Sequence, residues 1–424
     1  MKKAFYADYI YYNHEEHINS YLLVENDIVV GITKEENALS GYSVKKFENS
    51  AIFPGLINTH NHLGMSFLKG FADDLPLMTW LKNYIWPIEN KFMSPEFVYK
   101  STLLAMAESI RSGVTCVNDM YFNPNDARKS IEKAGIRGLV GFGVMENFEQ
   151  AFIDAENFEE SDLVRVSMIP HALYTVKFDI FKKSAAFAQK HGCLLHTHLA
   201  ETLDEENQIM AKYGKRPVEV MKETGAFDGP SIYAHCVHLN DSDMEIMASK
   251  KDNVSVSHCI ESNLKLASGF APIKKIMDAG INVSIGTDGV SSNNDISMIG
   301  EMSTVSKVHK ALNMDATCLP AETVLNMATS NAAKALHWNN IGNLDKNMKA
   351  DFFVLSFDAV HMTPVYQPIS HLIYTAKDND ITDVYVNGSP VMENRKILTF
   401  DEEELKNEAK ITANEIRKSF VKNK

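Results

Sequence analysis

The sequence predicts an α/β protein: a (β/α)8 TIM-like barrel with a small β-sandwich formed from the N- and C-terminal segments. Three observations predict it. Apolar, β-branched runs alternate with helix-length segments through the middle of the chain, and shorter strand-like segments flank that middle on both sides. Polar residues also recur where the apolar runs end, which is where barrel enzymes place their chemistry.

The barrel prediction depends on eight apolar runs, each followed by a segment long enough for a helix. The clearest helix begins at Ser94, a candidate N-cap, with Pro95 at its first position and Gly113 after its last. Eight βα units are typical of a closed parallel barrel. The predicted strands are 51–59, 113–120, 137–144, 164–173, 193–201, 231–239, 254–262 and 282–290.

The flanking segments predict a second, smaller β-structure. Residues 1–50 contain short alternating strands, and residues 350–396 resume that pattern around a hairpin turn at Asn387-Gly388. Residues 401–424 have the pattern of an amphipathic helix, which we expect to pack on the outside. The predicted division is 1–55 plus 346–424 for the β-sandwich and C-terminal helix, and 56–345 for the barrel.

The composition argues against several classes of partner and compartment. Apolar residues make up 45% and charged residues 23%, as in soluble globular proteins. The net charge is −13 and there is no basic stripe, so we expect no nucleic-acid partner. No apolar run approaches the roughly 20 residues of a membrane helix, and no signal peptide is evident. Five scattered cysteines without a C-x-x-C pair predict buried thiols and a cytoplasmic location.

Histidine or aspartate stands at the end of most predicted strands. His60 and His62 share one face of the first strand because they are two residues apart. His198 ends the fifth strand, with Glu201 three residues later, and Asp288 ends the eighth. In a barrel these ends meet at one mouth. The other histidines at or near strand ends are His171, His196, His235 and His258.

Three imidazoles and one carboxylate suit a transition metal better than Mg²⁺ or Ca²⁺. We therefore expect one divalent metal, Zn²⁺, with Fe²⁺ as the alternative. Such a metal lowers the pKa of a bound water towards about 7, and Glu201 is placed to move the proton. Periodicity alone does not choose between His196 and His198, which face alike. His198 is the predicted ligand because it is nearer the strand end, and His196 lies deeper as a packed or supporting residue.

Four motifs then resemble the amidohydrolase superfamily: PGLINTHNH at 54–62, HTHLAE at 196–201, AHCVH at 234–238 and GTDGVSSNN at 286–294. Within it, the chain looks like the 5′-methylthioadenosine/S-adenosylhomocysteine deaminases and their neighbours, the triazine and ammeline hydrolases. The closer resemblance depends on SNND after Asp288 and on SNLKLASG at 262–269.

The resemblance implies a role for each matching residue. It implies that Glu201 is the general acid/base and also contacts the substrate, that His235 orients the attacking water, and that Asp288 passes a proton to the leaving amine. His171 and Glu89 fall on its substrate-binding positions. The strand 4 lysine of binuclear members is missing, which implies one metal. The implied metal ligands are His60, His62, His198 and Asp288.

The resemblance implies a metal-dependent hydrolytic deaminase of an adenine nucleoside, a small-molecule substrate, and a homo-oligomer. The relatives that bind a homocysteine carboxylate use arginines after strand 3, but residues 138–163 contain neither Arg nor Lys. 5′-Methylthioadenosine, 5′-deoxyadenosine or adenosine is therefore favoured over S-adenosylhomocysteine, unless an arginine comes from elsewhere, such as a partner subunit.

Two alternatives stay open at this point. One is an amino- or chloro-triazine, guanine or cytosine hydrolase on the same scaffold; the other is a catalytically inactive metal-binding scaffold. The complete ligand set with Glu201 argues against the inactive scaffold. The role of His258 is open between substrate lining and structure. Glu205 and Glu206 are predicted to lie on a solvated helix face.

Overall fold

The computed structural model describes residues 1–144 and 148–421, and it contains two eight-stranded sheets. Strands β1–β4 and β13–β16, from the two ends of the chain, form one sheet; β5–β12 form the other. The outer strands are β1 Lys2–Tyr12, β2 Glu15–Glu25, β3 Ile28–Thr33, β4 Ser43–Pro54, β13 Phe352–Ser356, β14 Ile381–Val386, β15 Ser389–Glu393 and β16 Lys396–Ile397. The inner strands are β5 Leu56–Asn61, β6 Val114–Asp119, β7 Arg137–Gly143, β8 Val164–Ile169, β9 Leu194–Leu199, β10 Ser231–His235, β11 Val254–His258 and β12 Asn282–Ile285.

Strands β5–β12 are parallel and neighbour each other in chain order, as the barrel prediction requires. The last strand returns to the first, since the Asp288 N–H donates to the His60 carbonyl at 2.9 Å. The Thr59 hydroxyl also donates to the Ile285 carbonyl at 2.9 Å. These bonds join the two ends of the sheet, so the predicted (β/α)8 barrel is confirmed.

Helices surround the barrel and follow its strands. Helix α3 has the predicted signals, with the Ser94 hydroxyl accepting from the Phe97 N–H at 3.2 Å. The helices are α1 Leu77–Trp80, α2 Trp86–Phe92, α3 Pro95–Arg111, α4 Pro124–Ala134, α5 Phe148–Glu156, α6 Phe178–His191, α7 Leu203–Tyr213, α8 Pro217–Glu223, α9 Asp241–Ala248, α10 Ile260–Lys265, α11 Ile273–Asp278, α12 Met298–Asn313, α13 Ala321–Met327, α14 Ser330–Ala335, α15 Pro368–Tyr374 and α16 Glu402–Val421. Among the described helices, none is both long and apolar enough to cross a bilayer.

The run predicted as one strand at 51–59 is divided between the two sheets. Strand β4 ends at Pro54 and β5 begins at Leu56. Pro54 has no N–H to donate to a ladder. At Gly55 an added Cβ would lie 2.1 Å from the Thr115 hydroxyl, so only glycine fits where the chain enters the barrel. The prediction was wrong here because a continuous apolar run does not show where a strand changes sheets.

The outer sheet joins the two ends of the chain, as predicted. Strand β4 pairs with β13 in antiparallel register, with Ile52 opposite Val354 and Phe53 opposite Phe353. Alternation puts Ile52 and Val354 in a small core of the outer sheet, while Phe53 and Phe353 join the barrel's core. The small β-structure that the sequence predicts from the two ends of the chain is thus a single mixed sheet of eight strands. It has its own core on one face and packs against the barrel with the other. The residue boundaries of the two domains stay a prediction.

A buried ion pair also connects the outer sheet to the barrel. The Arg137 Nε donates to Asp351 Oδ2 at 2.6 Å, and both side chains are at most 3% exposed. Arg137 also donates to the Asp162 carbonyl at 2.8 Å, and Asp351 accepts from the Asn387 N–H at 2.8 Å. Because Arg137 begins β7, this contact lies at the end of the barrel opposite the strand C-termini.

We expect Asp351→Ala to lower the free energy of unfolding by about 3–5 kcal/mol, because it leaves the Arg137 charge buried without its partner. Urea unfolding followed by circular dichroism measures this loss. The matched control is Asp278→Asn, which removes an exposed pair with Lys274 and should leave the midpoint unchanged. Equal midpoints for the two variants would contradict the importance of the buried pair.

Candidate active site and metal centre

The strand ends bring five predicted site residues together at one mouth of the barrel. His60 lies in β5, His198 in β9 and His235 at the end of β10, and all three side chains are buried. His62 follows β5, and Asp288 lies three residues after β12. The sequence pattern placed these residues at strand ends, and the barrel turns that pattern into one cluster.

The donor atoms have the spacing of ligands around one cation. His62 Nε2 lies 3.2 Å from Asp288 Oδ1 and 3.4 Å from His198 Nε2. His60 Nε2 lies 3.4 Å from the same carboxylate oxygen. Bonds of about 2.0–2.1 Å to a tetrahedral Zn²⁺ put its ligand atoms about 3.3–3.4 Å apart. These four residues therefore fit a single metal ion.

The other ring nitrogens are held by acceptors, which aims Nε2 at the centre. His62 Nδ1 is 2.5 Å from the Met120 carbonyl, and His198 Nδ1 is 2.8 Å from the His171 carbonyl. A carbonyl accepts, so each Nδ1 carries the hydrogen and each Nε2 has a free lone pair. Among the described residues, the buried Nε2 atoms of His60 and His235 have no hydrogen-bond partner. A buried ring nitrogen without a partner in the protein is suited to bind a metal ion in its deprotonated form.

Asp288 is held by three donors. Its Oδ2 accepts from the Ser262 hydroxyl at 2.6 Å and from the Ser292 hydroxyl at 2.7 Å, and its Oδ1 accepts from the Gly289 N–H at 2.7 Å. The backbone at Asp288 is left-handed, with φ +61°. These bonds fix the carboxylate's direction despite that unusual backbone.

Glu201 lies beside the cluster and is 5% exposed. Its Oε2 is 4.0 Å from His235 Nε2, and Asn263 Oδ1 holds the opposite nitrogen of that ring at 2.9 Å. Burial raises the pKa of Glu201 above its usual value. A carboxylate with a raised pKa is suited to take up and return a proton near neutral pH.

Besides Glu201, the predicted substrate residues are His171, whose ring lies beside His198, and Glu89, which bonds Tyr121. The His171 ring centre is 4.6 Å from that of His198, and its Nδ1 is 3.0 Å from the Thr175 hydroxyl. Glu89, on α2, accepts from the Tyr121 hydroxyl at 2.7 Å, and Tyr121 follows the residue that holds His62. Burial raises the pKa of Glu89 to about 7, although the Tyr121 bond opposes the rise.

Sequence reasoning missed the residues that support the ligands. Ser262 and Asn263 belong to a segment noted only for its family resemblance, and Ser292 was not singled out. His196, predicted as deeper and supporting, lies with its Nε2 2.8 Å from His60 Nδ1. His258 is bonded to His309 on α12 through the two Nε2 atoms at 2.9 Å, which favours the structural interpretation of His258.

One expectation at this site was wrong. Glu205 and Glu206 were predicted to lie on a solvated face of their helix, but their exposed fractions are 2% and 8%. Helix α7 packs its first turn into the barrel mouth, where Glu205 binds backbone N–H groups and Glu206 pairs with Arg216. A charge-rich turn gives no local sign of such burial.

Comparison with known proteins adds to this geometry. The model of the amidohydrolase family matches residues 51–391. The chain belongs to the amidohydrolase family. As a member it is a metal-dependent hydrolase, which confirms the resemblance. It is 39% identical over 418 residues to a 5-methylthioadenosine/S-adenosylhomocysteine deaminase of Thermodesulfovibrio yellowstonii, covering 95% of each chain.

Two further amidohydrolases are similar over nearly the whole length. A 5′-deoxyadenosine deaminase of Methanosphaera stadtmanae is 37% identical over 408 residues, covering 94% of this chain and 95% of the relative. The solved structure of an adenosine deaminase from Xanthomonas campestris, with bound zinc, has a TM-score of 0.93 and 33% identity, with 98% of each chain covered. The fold prediction is confirmed by this structure.

We expect the purified amidohydrolase to hold one equivalent of a divalent metal per chain by elemental analysis. Its removal by a chelator should lower the melting temperature, because the cation binds only the folded cluster. His198→Asn should lose the metal. The control is His238→Asn, which changes a nearby histidine whose side chain bonds the Ser268 carbonyl. This variant should keep the metal. Metal retained by both variants would show that the cluster is not the site.

Proposed function

We propose that this amidohydrolase is a Zn²⁺-dependent deaminase of adenine nucleosides that carry an uncharged 5′ group. It adds water to the adenine ring and releases ammonia and the inosine analogue. The observation that carries the proposal is the buried Glu201 carboxylate beside a complete set of aimed metal-binding atoms. The relatives named for deamination of adenine nucleosides support it.

We assign the metal to His60, His62, His198 and Asp288. His235 also brings a ring nitrogen within 4.8 Å of three of these groups, but we assign it to the attacking water instead. Its Nε2 points towards Glu201, whereas the His62 Nε2 keeps ligand spacing to two other donors. When bound, the metal lowers the pKa of water towards about 7. The zinc in the Xanthomonas campestris structure supports Zn²⁺ over Fe²⁺.

The side chains then have distinct tasks in the proton transfers. Glu201 takes a proton from the attacking water and delivers it to the ring nitrogen beside C6. His235 bonds the water oxygen and orients it towards C6. Asp288 takes the second proton of the water and passes it to the amine, which leaves as ammonia. The water oxygen stays on the ring, so the atoms of water and adenine balance.

Substrate contacts are assigned on the family's pattern. Glu89 binds the ribose hydroxyls and His171 contacts the purine. The pair reaches the cluster from two sides, because Glu89 lies on α2 after β5 and His171 lies after β8. Both groups are neutral or acidic, which matches an uncharged, hydroxyl-rich nucleoside rather than an anion.

The lack of positive charge in β7 and in the segment that follows it supports an uncharged 5′ group. Residues 138–163 contain no Arg or Lys, and 145–147 of these lie outside the described residues. The two flanking arginines lie in the first two residues of their strands, at the opposite end of the barrel: Arg137 pairs with Asp351, and the Arg165 guanidinium carbon lies 4.2 Å from the Trp338 ring centre. Neither reaches the mouth, so a homocysteine carboxylate has no cation there from this segment.

The two alternatives make different predictions. A triazine, guanine or cytosine hydrolase has no use for a residue that binds ribose, so it should ignore nucleosides. An inactive scaffold has no physical need to bury the Glu201 carboxylate, because that burial costs free energy without a reaction to serve. The homo-oligomer stays a prediction.

Ammonia release on a matched substrate panel tests the function. We expect turnover of 5′-methylthioadenosine, 5′-deoxyadenosine and adenosine, and at least about tenfold lower kcat/KM for S-adenosylhomocysteine, because its carboxylate lacks a partner. Guanine, cytosine and ammeline serve as controls for the alternatives. A preference for S-adenosylhomocysteine would contradict the inference from the lack of Arg and Lys in 138–163. If the metal-loaded protein released no ammonia from any nucleoside, the proposed function would be wrong.

Glu201→Gln should keep the metal and lose at least about 10²–10⁴-fold in kcat, because the amide cannot accept and return the proton. Metal analysis and steady-state kinetics on the best nucleoside measure both quantities. The control is Glu223→Gln, an exposed residue of α8 paired with Lys215, which should retain full activity. An active, metal-loaded E201Q protein would remove Glu201 from the mechanism.

A further inference from the structure

Glu201 follows β9 at a point where the chain leaves the barrel through a left-handed turn. Ala200 has φ +51°, a region that a residue with a Cβ rarely adopts. One side of the turn is held by the loop after β10, since the His238 N–H donates to the Ala200 carbonyl at 2.9 Å. The N–H groups of Ala200 and Glu201 are buried on the other side, and they need acceptors of their own.

Glu205 supplies both acceptors. Its Oε1 accepts from the Ala200 N–H at 3.2 Å, and its Oε2 accepts from the Glu201 N–H at 2.8 Å. The side chain is 2% exposed. One buried carboxylate therefore holds two successive peptide groups, those of the strained residue and of the proposed proton-transfer residue.

The local sequence explains only part of this arrangement. T-L-D-E at 202–205 is a capping-box sequence, in which the Glu side chain returns to the N–H of the N-cap residue. Half of the box is present, because the Thr202 hydroxyl accepts from the Glu205 N–H at 3.2 Å. The Glu205 carboxylate instead reaches past Thr202 to the two preceding N–H groups. Capping α7 does not require that displacement, whereas holding the turn at Ala200 does.

We propose that Glu205 is a positioning residue for deamination: its carboxylate fixes the turn at Ala200 and thereby the placement of Glu201 beside His235. The inference rests on the proposed function of Glu201. Glu205 itself touches neither substrate nor metal in this scheme. Burial raises the pKa of Glu205 to about 7, so the fold keeps this carboxylate inside at a cost in stability.

Glu206 provides a matched control on the same turn of α7. It is 8% exposed, and burial raises its pKa to about 7 as well. Its Oε2, however, lies 2.8 Å from Arg216 Nη1, and it makes no described contact with the turn at Ala200. Substitution of either glutamate by glutamine removes one buried charge from the same helix, and only one substitution disturbs Glu201.

The test compares E205Q and E206Q with the wild type, all as metal-loaded full chains, on the best nucleoside of the panel. E205Q should lose about 10–100-fold in kcat, with KM and metal content within about twofold of wild type, because a small misplacement of a catalytic group costs rate rather than binding. E206Q should keep its kcat even where its melting temperature falls. Equal kcat values in the two variants, or a loss in E205Q that follows metal loss, would overturn the role of Glu205.

Two further arms keep the test decisive. If E205Q does not fold, the same substitution is made in an Ala200→Gly background, where the left-handed turn costs little. The double variant should fold and have a lower kcat than A200G alone; equal kcat would overturn the proposal. Turnover by the wild type distinguishes a failure of the proposed function from a failure of the proposed role of Glu205. Inactivity of the wild type on every nucleoside overturns the proposed function. An active wild type with an equally active E205Q overturns only the role of Glu205.

Discussion

The structure depends on the close approach of buried ring-nitrogen lone pairs and one carboxylate oxygen at the mouth of the barrel. His60 Nε2 and His62 Nε2 both lie within 3.4 Å of Asp288 Oδ1. Burying such groups without a full set of partners costs free energy. A divalent cation bound among these atoms would offset that cost, because each of them can offer an electron pair. We therefore expect the metal to stabilise the mouth as well as to take part in the chemistry.

Barrel closure and assembly of this cluster are the same structural event. The Asp288 N–H bonds the His60 carbonyl, so the contact that joins the last strand to the first also brings the carboxylate to the histidines. Gly286 makes this approach possible, since an added Cβ there would lie 2.7 Å from the backbone nitrogen of His60. The buried pair of Arg137 and Asp351 fastens the outer sheet at the far end, away from the chemistry. The buried ion pair and the histidine cluster thus lie at opposite ends of one barrel.

Strained backbone recurs where the strands end. Ala200, His235 and Asp288 all have positive φ values, of 51°, 73° and 61°. Such conformations cost about 1–3 kcal/mol each and persist where surrounding bonds hold them. Here the bonds come from Glu205 at Ala200, from Asn263 at the His235 ring and from the serine hydroxyls at Asp288. The barrel mouth is held in shape before substrate arrives, which is the condition for efficient electrostatic and proton-transfer catalysis.

The sequence by itself determined the barrel and the family's metal dependence, and it predicted the main site residues. Period-two spacing puts His60 and His62 on one face, and the residue types at the strand ends select a transition metal. Tertiary structure alone gave the distances that distinguish the two histidines of β9: Nε2 of His198, the predicted ligand, lies 3.4 Å from His62 Nε2, whereas His196 bonds His60 Nδ1. It also decided the division of the run 51–59 between two sheets and the burial of Glu205. A local pattern shows the face of a strand, but distances between strands and the packing of a turn depend on residues far away in the chain.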